Sequence, residues 1–280
     1  MEQVGIVGTG AMGSALLHRL RVAEVPATTY DLDPAAVLAA RAEGAAIAGS
    51  AADVARASTV IDVVVRTDDE ILEAVLGEGG VLEGAAPGSL VLLHSTSLPQ
   101  TTKRVAEAAG ARGVHVIDAC MLGVPEVVRA GKLRFVVGGP KELFERAQPH
   151  LQHMAQTVLH VGDLGAGNVV KLAHNLLMGA ETLVLHETLL IGEAGGIPYP
   201  KLLGILGELA GESDTRFQNW QRTFDPSGTD PTPHAGHNTI PKDVPLAGEV
   251  ARLYGVPAPI IRELAASALR VSGLSPSRRD

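Results

Sequence analysis

Residues 4–20 constrain the fold more tightly than any other segment. The apolar run Val4-Gly5-Ile6-Val7 leads into Gly8-Thr9-Gly10-Ala11-Met12-Gly13 and then into Ser14-Ala15-Leu16-Leu17-His18-Arg19-Leu20. This reads as a buried strand, a glycine turn and a helix. Each glycine answers a different need. Gly8 allows the tight turn, Gly10 lets a pyrophosphate approach the backbone, and Gly13 lets helix and strand pack closely. Phosphates would rest on the unpaired N–H groups at the helix N-terminus. Gly8, Gly10, Ala11, Met12 and Gly13 are therefore candidate cofactor-binding residues.

A second strand, Val25 to Tyr30, ends at Asp31, 18 positions after Gly13. That is close to the spacing of the acid that binds the adenosine ribose in dinucleotide folds. A carboxylate accepts hydrogen bonds from the 2′- and 3′-hydroxyls and repels a 2′-phosphate. No arginine or lysine follows in Asp31-Leu32-Asp33-Pro34, so NAD is expected over NADP. The helix that starts near Pro34 needs a cap, and Asp33 fits that position, with Pro at the first helical residue. Asp31 is left for the ribose.

The 280 residues suffice for two domains; 46% are apolar and 19% charged, as expected of a well-packed globule. Aromatics make up only 3%, so the core must be built from Ala, Val, Leu and Ile. A net charge of −8 argues against a nucleic-acid partner, which needs a basic face. No run of 18 uncharged apolar residues exists, so no membrane partner is expected. The first strand follows Met1 too closely to leave room for a signal peptide. Cys120 is the single cysteine, so no internal disulfide forms, and a cytoplasmic location is expected.

Along the first 160 residues short apolar runs alternate with amphipathic stretches. Strands are expected at Val4–Val7, Ala27–Tyr30, Val60–Val65, Leu90–His94, Val114–Ala119, Phe135–Gly138 and Val158–Val161. Helices fall between them, as at Ala35–Glu43 and Gln100–Ala109. Several strands are apolar on both faces, the mark of a mostly parallel sheet covered on each side. The pattern then changes. Asn168 to Ala194 lacks proline, is apolar around the whole helical wheel, and stops at Gly195-Gly196-Ile197-Pro198. A helix apolar all round must be buried, between domains or subunits, which favours a homodimer or homotetramer. Helices are also expected at Tyr199–Gly211, Leu246–Tyr254 and Pro259–Val271, a loop at Phe224–Pro241 and a frayed tail from Ser275. The fold class is thus α/β. A doubly wound Rossmann domain (1–164) is followed by a long interdomain helix (165–195) and an all-α C-terminal domain (196–280).

The long helix opens on Gly165-Ala166-Gly167-Asn168-Val169-Val170-Lys171-Leu172-Ala173-His174-Asn175. Lys171 and Asn175 are four apart and share a helix face. The chain has six lysines, and one on an apolar helix is costly unless it snorkels or serves a purpose. From spacing alone two readings stand: a functional amine, or a helix-end lysine reaching water.

These segments together resemble the β-hydroxyacid dehydrogenase family, which includes 3-hydroxyisobutyrate dehydrogenases and tartronate semialdehyde reductases. The resemblance covers nearly the whole chain. It is carried by the opening Gly-Ile-Val-Gly-Thr-Gly-Ala-Met-Gly-Ser, by His94-Ser95-Thr96-Ser97-Leu98-Pro99, by Asp118 through Leu133, by Gly165 to Asn175, and by Lys242-Asp243. It implies hydride transfer between a nicotinamide and the carbon bearing a substrate hydroxyl. Lys171 would be the general acid/base, its pKa lowered by burial from about 10.4 towards roughly 7–8. Asn175 would hold the lysine or the substrate. Ser95, with Thr96 beside it, would bind substrate polar groups, and Lys242 would lie near the cofactor. Arg66 and Thr67 are expected to flank the nicotinamide ribose.

The substrate motif of the family usually reads D-A-P-V-S-G-G. Here it is Asp118-Ala119-Cys120-Met121-Leu122-Gly123-Val124. Leucine replaces the serine and valine a glycine, so Met121, Leu122, Gly123 and Val124 are expected to line a more apolar acyl pocket. Losing one hydrogen bond to a charged group costs roughly 1.5–3 kcal/mol, enough to change substrate preference. Cys120 lacks a base nearby in sequence and reads as a packing residue. His234 and His237 are three apart in a proline-rich loop, but no third ligand accompanies them and hydride transfer needs no metal. Phe217 and Trp220 pack the helical domain or line the pocket, and Met178 is core. Two other functions compete. One is an imine reductase, against which Lys171 counts. The other is a non-catalytic dinucleotide-binding protein, which would not need Lys171, Asn175 and Ser95 together.

Overall fold

The structure, a computed structural model, describes residues 2–210 and 240–271. Phe217, Trp220, His234, His237, the expected loop through residue 239 and the tail from Ser275 lie outside the described residues. The chain divides into two compact units, Met1–Lys171 and Leu172–Asp280.

The first unit is built on one eight-stranded sheet. Its strands are β1 (Val4–Val7), β2 (Ala27–Tyr30), β3 (Ala46–Ile47), β4 (Val60–Val63), β5 (Leu90–Leu93), β6 (His115–Leu122), β7 (Arg134–Gly138) and β8 (Thr157–Gly162). Their order is β3-β2-β1-β4-β5-β6-β7-β8. The first six run parallel; β7 is antiparallel to β6, and β8 parallel to β7. The helices between them are α1 (Ala11–Val22), α2 (Pro34–Ala42), α3 (Ala51–Arg56), α4 (Asp68–Leu76), α5 (Val81–Gly84), α6 (Pro99–Gly110), α7 (Pro125–Arg129) and α8 (Lys141–Met154).

Side-chain alternation explains why this sheet is covered on both faces. β5 sends Leu90 and Leu92 into one buried cluster and Val91 and Leu93 into another. β4 sends Val60 to the first and Ile61 and Val63 to the second. All eight of these positions on the two strands are buried, Asp62 included, as central parallel strands require. Connectivity reverses direction at β1, whose neighbours are β2 and β4. In open α/β sheets ligands bind beyond the carboxyl ends of the strands at such a reversal.

The expected strands all form, with shifts of a few residues at their ends. One strand is added: Ala46–Ile47 is too short to show a period, and Ala46 is exposed.

Helix α9 (Ala166–Ala194) starts in the first unit and continues through the second, which also contains α10 (Tyr199–Ala210), α11 (Ile240–Leu253) and α12 (Pro259–Val271). α9 ends as its glycines require. Gly196 takes φ +83°, and the N–H groups of Gly196 and Ile197 bond back to the carbonyls of Glu193 and Gly192 at 2.9 Å each. A Cβ on Gly192 would lie 2.2 Å from Leu202 Cδ2, so the glycine permits the close contact of α9 with α10. Leu185, Leu189, Tyr199 and Leu203 form the core there.

One expectation is corrected. α11 begins at Ile240, six residues before the expected start at Leu246, so Pro241 is helical and not loop. Pro241 lies in the first turn, where a missing N–H costs nothing, and Pro245 leaves only the carbonyl of Pro241 without its i+4 partner. Within the single chain α9 is covered on part of its surface. Leu172, Leu183, Leu185 and Leu189 are buried, but Leu177, Val184 and Ile191 are 66%, 60% and 73% exposed in the single chain. Among the described residues no helix is long and apolar enough to cross a membrane.

Candidate functional site

The glycine turn joins β1 to α1, and its three glycines differ as the chemistry of a dinucleotide demands. Gly8 adopts φ +92°, and a Cβ there would fall 2.3 Å from the Val64 carbonyl oxygen. A Cβ on Gly13 would fall 2.0 Å from the Gly8 carbonyl oxygen. A Cβ on Gly10 would meet no heavy atom of the described residues within 4 Å beyond its own chain neighbours and helix backbone. Gly8 and Gly13 are thus demanded by the protein itself, whereas no contact within the described residues requires a glycine at the exposed position 10. Gly10 is also the N-cap of α1, and no side chain caps that helix. The N–H groups of Ala11, Met12 and Gly13 face the turn at the positive end of the helix dipole. An anionic pyrophosphate fits this cradle in shape and charge.

Asp31 follows the end of β2 beside the same turn. Its Oδ2 accepts from Thr9 N at 2.5 Å and its Oδ1 from Asp33 N at 2.8 Å. Oδ2 also accepts from Thr9 Oγ1 at 3.4 Å, while Oδ1 retains a lone pair, which suits a ribose hydroxyl. Asp33 caps α2 as expected, accepting from Ala35 N at 2.9 Å, a contact worth about 1 kcal/mol. The residues present therefore fit a nicotinamide dinucleotide. Its pyrophosphate would lie on Gly10 to Gly13 and its adenosine ribose on Asp31.

Arg66 and Thr67 lie just beyond the carboxyl end of β4. Thr67 caps α4, its Oγ1 accepting from Glu70 N at 3.2 Å, while Glu70 reaches back to the Arg66 N–H at 2.8 Å. The Arg66 guanidinium is 87% exposed and pairs with Glu70.

The segment after β5 holds Ser95, Thr96 and Ser97. Asp68 pins its far end, accepting from Leu98 N at 3.0 Å and from Thr101 Oγ1. Ser95 is buried and its Oγ donates to the Val65 carbonyl at 2.6 Å; the hydroxyl oxygen remains able to accept. Of the substrate-motif residues, Met121 is buried, Leu122 is half-buried at the end of β6, and Val124 is 48% exposed. Gly123 lies between them, with Val127 and Leu133 side chains close by. Met121 belongs to the buried core of the sheet, so of these side chains Leu122 and Val124 are the partly accessible ones.

The first turn of α9 is fastened to β6 by a buried carboxylate. Asp118 Oδ1 accepts from Gly165 N at 2.7 Å and Oδ2 from Asn168 N at 2.9 Å. Burial pushes the Asp118 carboxyl up; the Gly165, Asn168 and Gly167 amides push it back, and the net direction is upward. This carboxylate also explains two glycines, since a Cβ on Gly138 or Gly167 would fall within 2.7 Å of its oxygens. The Asn168 side chain is fully buried and uses both ends of its amide. Nδ2 donates to Ser97 Oγ at 3.1 Å and to Cys120 Sγ at 3.4 Å, and Oδ1 accepts from Thr102 Oγ1 at 2.8 Å. Cys120 in turn lies 3.6 Å from the Ser95 carbonyl. Cys120 is thus a buried packing and bonding residue. Lys171 is half-buried and follows Asn168 by three residues, one helical turn away on the same face.

In the second unit, Asn175 Nδ2 donates to Asp243 Oδ2 at 2.5 Å, and Lys242 Nζ lies 2.8 Å from Asp243 Oδ1. The structure thus brings together Asn175 and Lys242, two of the residues expected from the sequence, through an aspartate that the sequence reading had left without a role.

A further polar cluster escaped the sequence reading. Asp62 on β4, His94 after β5 and His150 on α8 meet inside the core. His94 Nε2 lies 2.7 Å from Asp62 Oδ1 and His150 Nε2 2.8 Å from Asp62 Oδ2, while His94 Nδ1 lies 2.7 Å from the Ala119 carbonyl. Burial pushes the Asp62 carboxyl up, but His150, by charge and hydrogen bond, and His94 hold it well below the usual carboxylate range. Burial pushes His150 down, and the Asp62 charge and hydrogen bond raise it more.

Two family models match the chain: "NAD binding domain of 6-phosphogluconate dehydrogenase" over residues 3–162, and "NAD-binding of NADP-dependent 3-hydroxyisobutyrate dehydrogenase" over residues 165–273. A 3-hydroxyisobutyrate dehydrogenase of Pseudomonas aeruginosa is 34% identical over 75% of this chain and 71% of its own length. A 2-(hydroxymethyl)glutarate dehydrogenase of Eubacterium barkeri is 31% identical over 92% of this chain and 85% of its own. The crystal structure of a 3-hydroxyisobutyrate dehydrogenase from Salmonella typhimurium superposes with a TM-score of 0.81 at 25% identity, covering 97% of this chain and 94% of that one. With the glycine cradle and the anchored start of α9, these matches show that the chain belongs to the β-hydroxyacid dehydrogenase family and is a nicotinamide-dependent dehydrogenase acting on hydroxyl groups.

Proposed function

We propose that this protein interconverts a small β-hydroxy acid of the 3-hydroxyisobutyrate type and its semialdehyde, with Lys171 as the general acid/base and NAD as the preferred cofactor. The observation that carries the reading is the anchoring of α9. Asp118 and Asn168 fix its first turn to the middle of β6 and to the Ser95–Ser97 segment, and Lys171 lies one turn further along. The nicotinamide supplies hydride chemistry at the substrate carbon. As that hydride leaves, the substrate hydroxyl gives its proton to the neutral Lys171 amine; in the reverse direction the ammonium returns it, so charge and protons balance. Ser95 and Thr96 hold substrate polar groups. Leu122, with Gly123 and Val124, favours an apolar acyl group over a hydroxylated one. Cofactor preference follows from Asp31, which offers an acceptor to a ribose hydroxyl and repels a phosphate.

Self-association belongs to the same reading. Leu177, Val184 and Ile191 recur every seven residues along α9, a spacing at which a second copy covers an apolar stripe. A homodimer or homotetramer is expected, and sedimentation as a monomer would refute this part alone.

Lys171→Ala tests the mechanism. Binding of NADH stays intact and turnover falls at least about a hundredfold, the lower end of what a positioned acid/base supplies. An unaffected rate removes Lys171 from the mechanism. A panel of hydroxy acids, aldehydes and cyclic imines, assayed with both cofactors, separates this reading from an imine reductase. Cofactor binding with no turnover on any of them would indicate a non-catalytic binding protein.

A further inference from the structure

Asn175 and Asp243 are 68 positions apart and meet side chain to side chain within the second unit. Asp243 is 1% exposed, and its other oxygen is paired with Lys242 Nζ at 2.8 Å. An ionised carboxylate offers only acceptors, whereas an amide offers a donor end and an acceptor end. Asn175 must therefore turn its NH2 group towards Asp243. Chemistry decides this orientation, even though the two ends of an amide are nearly alike in shape. The amide oxygen is left to face away from Asp243.

We propose that Asp243 is a positioning residue: it holds Asn175 so that the amide oxygen, and not the NH2 group, is presented to the reacting groups as an acceptor. The inference rests on the reading of Asn175 as part of the reaction site and narrows it. Asn175 would receive a hydrogen bond from a proton-bearing partner, and would not donate one to a substrate carbonyl or carboxylate. It also explains a buried charge. A neutral amide at position 243 could present either of its ends, and the Asn175 side chain could then turn over. The Asp243 carboxylate, balanced by Lys242, allows one orientation only.

The test is a double-mutant cycle in kcat/KM with one added exchange. The variants are Asn175→Ala, Asp243→Asn, the double variant Asn175→Ala/Asp243→Asn, and the exchange Asn175→Asp/Asp243→Asn. Asp243→Asn is expected to lower kcat/KM about ten- to a hundredfold, the range of one hydrogen bond to a charged group. In the Asn175→Ala background it should add less than about threefold, since no amide remains to be oriented. The exchange reverses donor and acceptor across the pair but keeps an acceptor oxygen on α9. It should recover about tenfold over Asp243→Asn alone, on the scale set by one such hydrogen bond. A purely structural role for Asp243 gives neither the vanishing increment nor the recovery. Additive losses in the cycle, or an exchange no better than the single variant, overturn the proposal. Full activity in Asn175→Ala would instead remove Asn175 from the site, a failure of the underlying reading seen without touching Asp243. Thermal melts and NADH binding identify any variant that fails to fold; if Asp243→Asn alone does, the exchange is compared with Asn175→Asp.

Discussion

Asp118 and Asn168, fifty residues apart, are joined by a 2.9 Å hydrogen bond from the Asn168 main chain to the Asp118 carboxylate. The other carboxylate oxygen takes Gly165 N at 2.7 Å. One side chain of β6 therefore closes the amino end of α9. Asp118→Ala leaves both N–H groups buried without that acceptor, at about 1–3 kcal/mol each. Relief of the buried charge, which holds the Asp118 carboxyl above its ordinary range, offsets part of this. A net loss of at least about 2 kcal/mol is expected, a fall of roughly 4–8 °C in Tm for a unit of this size. A melting curve superposable on wild type would show that this bond does not anchor the helix.

The glycine turn separates two kinds of requirement, and stability and binding measured together tell them apart. Gly13→Ala places a methyl 2.0 Å from the Gly8 carbonyl oxygen, and overpacking of backbone on backbone costs at least about 1–3 kcal/mol. Gly10→Ala adds a methyl that meets no heavy atom of the described residues within 4 Å beyond its chain neighbours, and Gly10 has φ −58°, outside the left-handed range. Its stability should be unchanged or slightly raised, while its affinity for NADH drops because the methyl occupies the phosphate cradle. Calorimetry and NADH titration on both variants check this. Tight NADH binding by Gly10→Ala would mean that the open space serves another purpose.

How far the sequence could be read depends on the distance over which each feature is decided. The strand, turn and helix at Val4–Leu20 are local, and all three are present. So is the Asp33 cap, decided within two residues. α11 starts six residues before the expected Leu246: the Pro-, Gly- and His-rich stretch up to Pro241 reads as loop, whereas a proline in a first turn breaks little. The exposed stripe of α9 was unreadable from its composition. An apolar wheel says that a face wants covering, but not whether this chain or another copy covers it. The Asp62–His94–His150 cluster was invisible for a different reason. His94 and His150 lie 32 and 88 positions from Asp62, on three separate elements, and only the stacking of β4, β5 and α8 brings them together. Asp118 and Asp243 were legible as members of motifs. Their partners, the start of α9 and the Asn175 amide, required coordinates.

Cofactor choice is expected to depend on Asp31, which is held in place by the Thr9 and Asp33 main-chain amides. Asp31→Ser removes the acceptor for the ribose hydroxyl and the repulsion of a 2′-phosphate. The ratio of kcat/KM for NAD over NADP should fall about ten- to a hundredfold, the equivalent of one hydrogen bond to a charged group. Because Thr9 N also loses its partner, the ratio within the variant is the informative quantity, not either value alone. An unchanged ratio would mean that the ribose lies elsewhere.

The buried Asp62–His150 pair predicts a pH dependence of stability with opposite signs at its two ends. His150 is raised above its ordinary value of 6.5. The folded state therefore holds this proton more tightly than the unfolded chain, and the stabilisation is complete below 6.5. It is lost as pH climbs through the higher folded value, because the unfolded chain has already released its proton. Asp62 is lowered from 3.8, so its contribution is complete above that value and is lost as pH falls through the folded value. Between the two ordinary values, roughly pH 4 to 6.5, both contributions are present. His150→Gln removes the titrating group at the upper end and places a neutral amide opposite Asp62. The variant should be less stable than wild type near pH 6, and the gap should narrow steadily above pH 6.5 as wild type loses its advantage. Melting temperatures of both proteins from pH 5 to 9 measure this. Parallel curves, with a constant gap at every pH, would show that folding leaves the His150 titration unshifted and would overturn the charged pairing with Asp62.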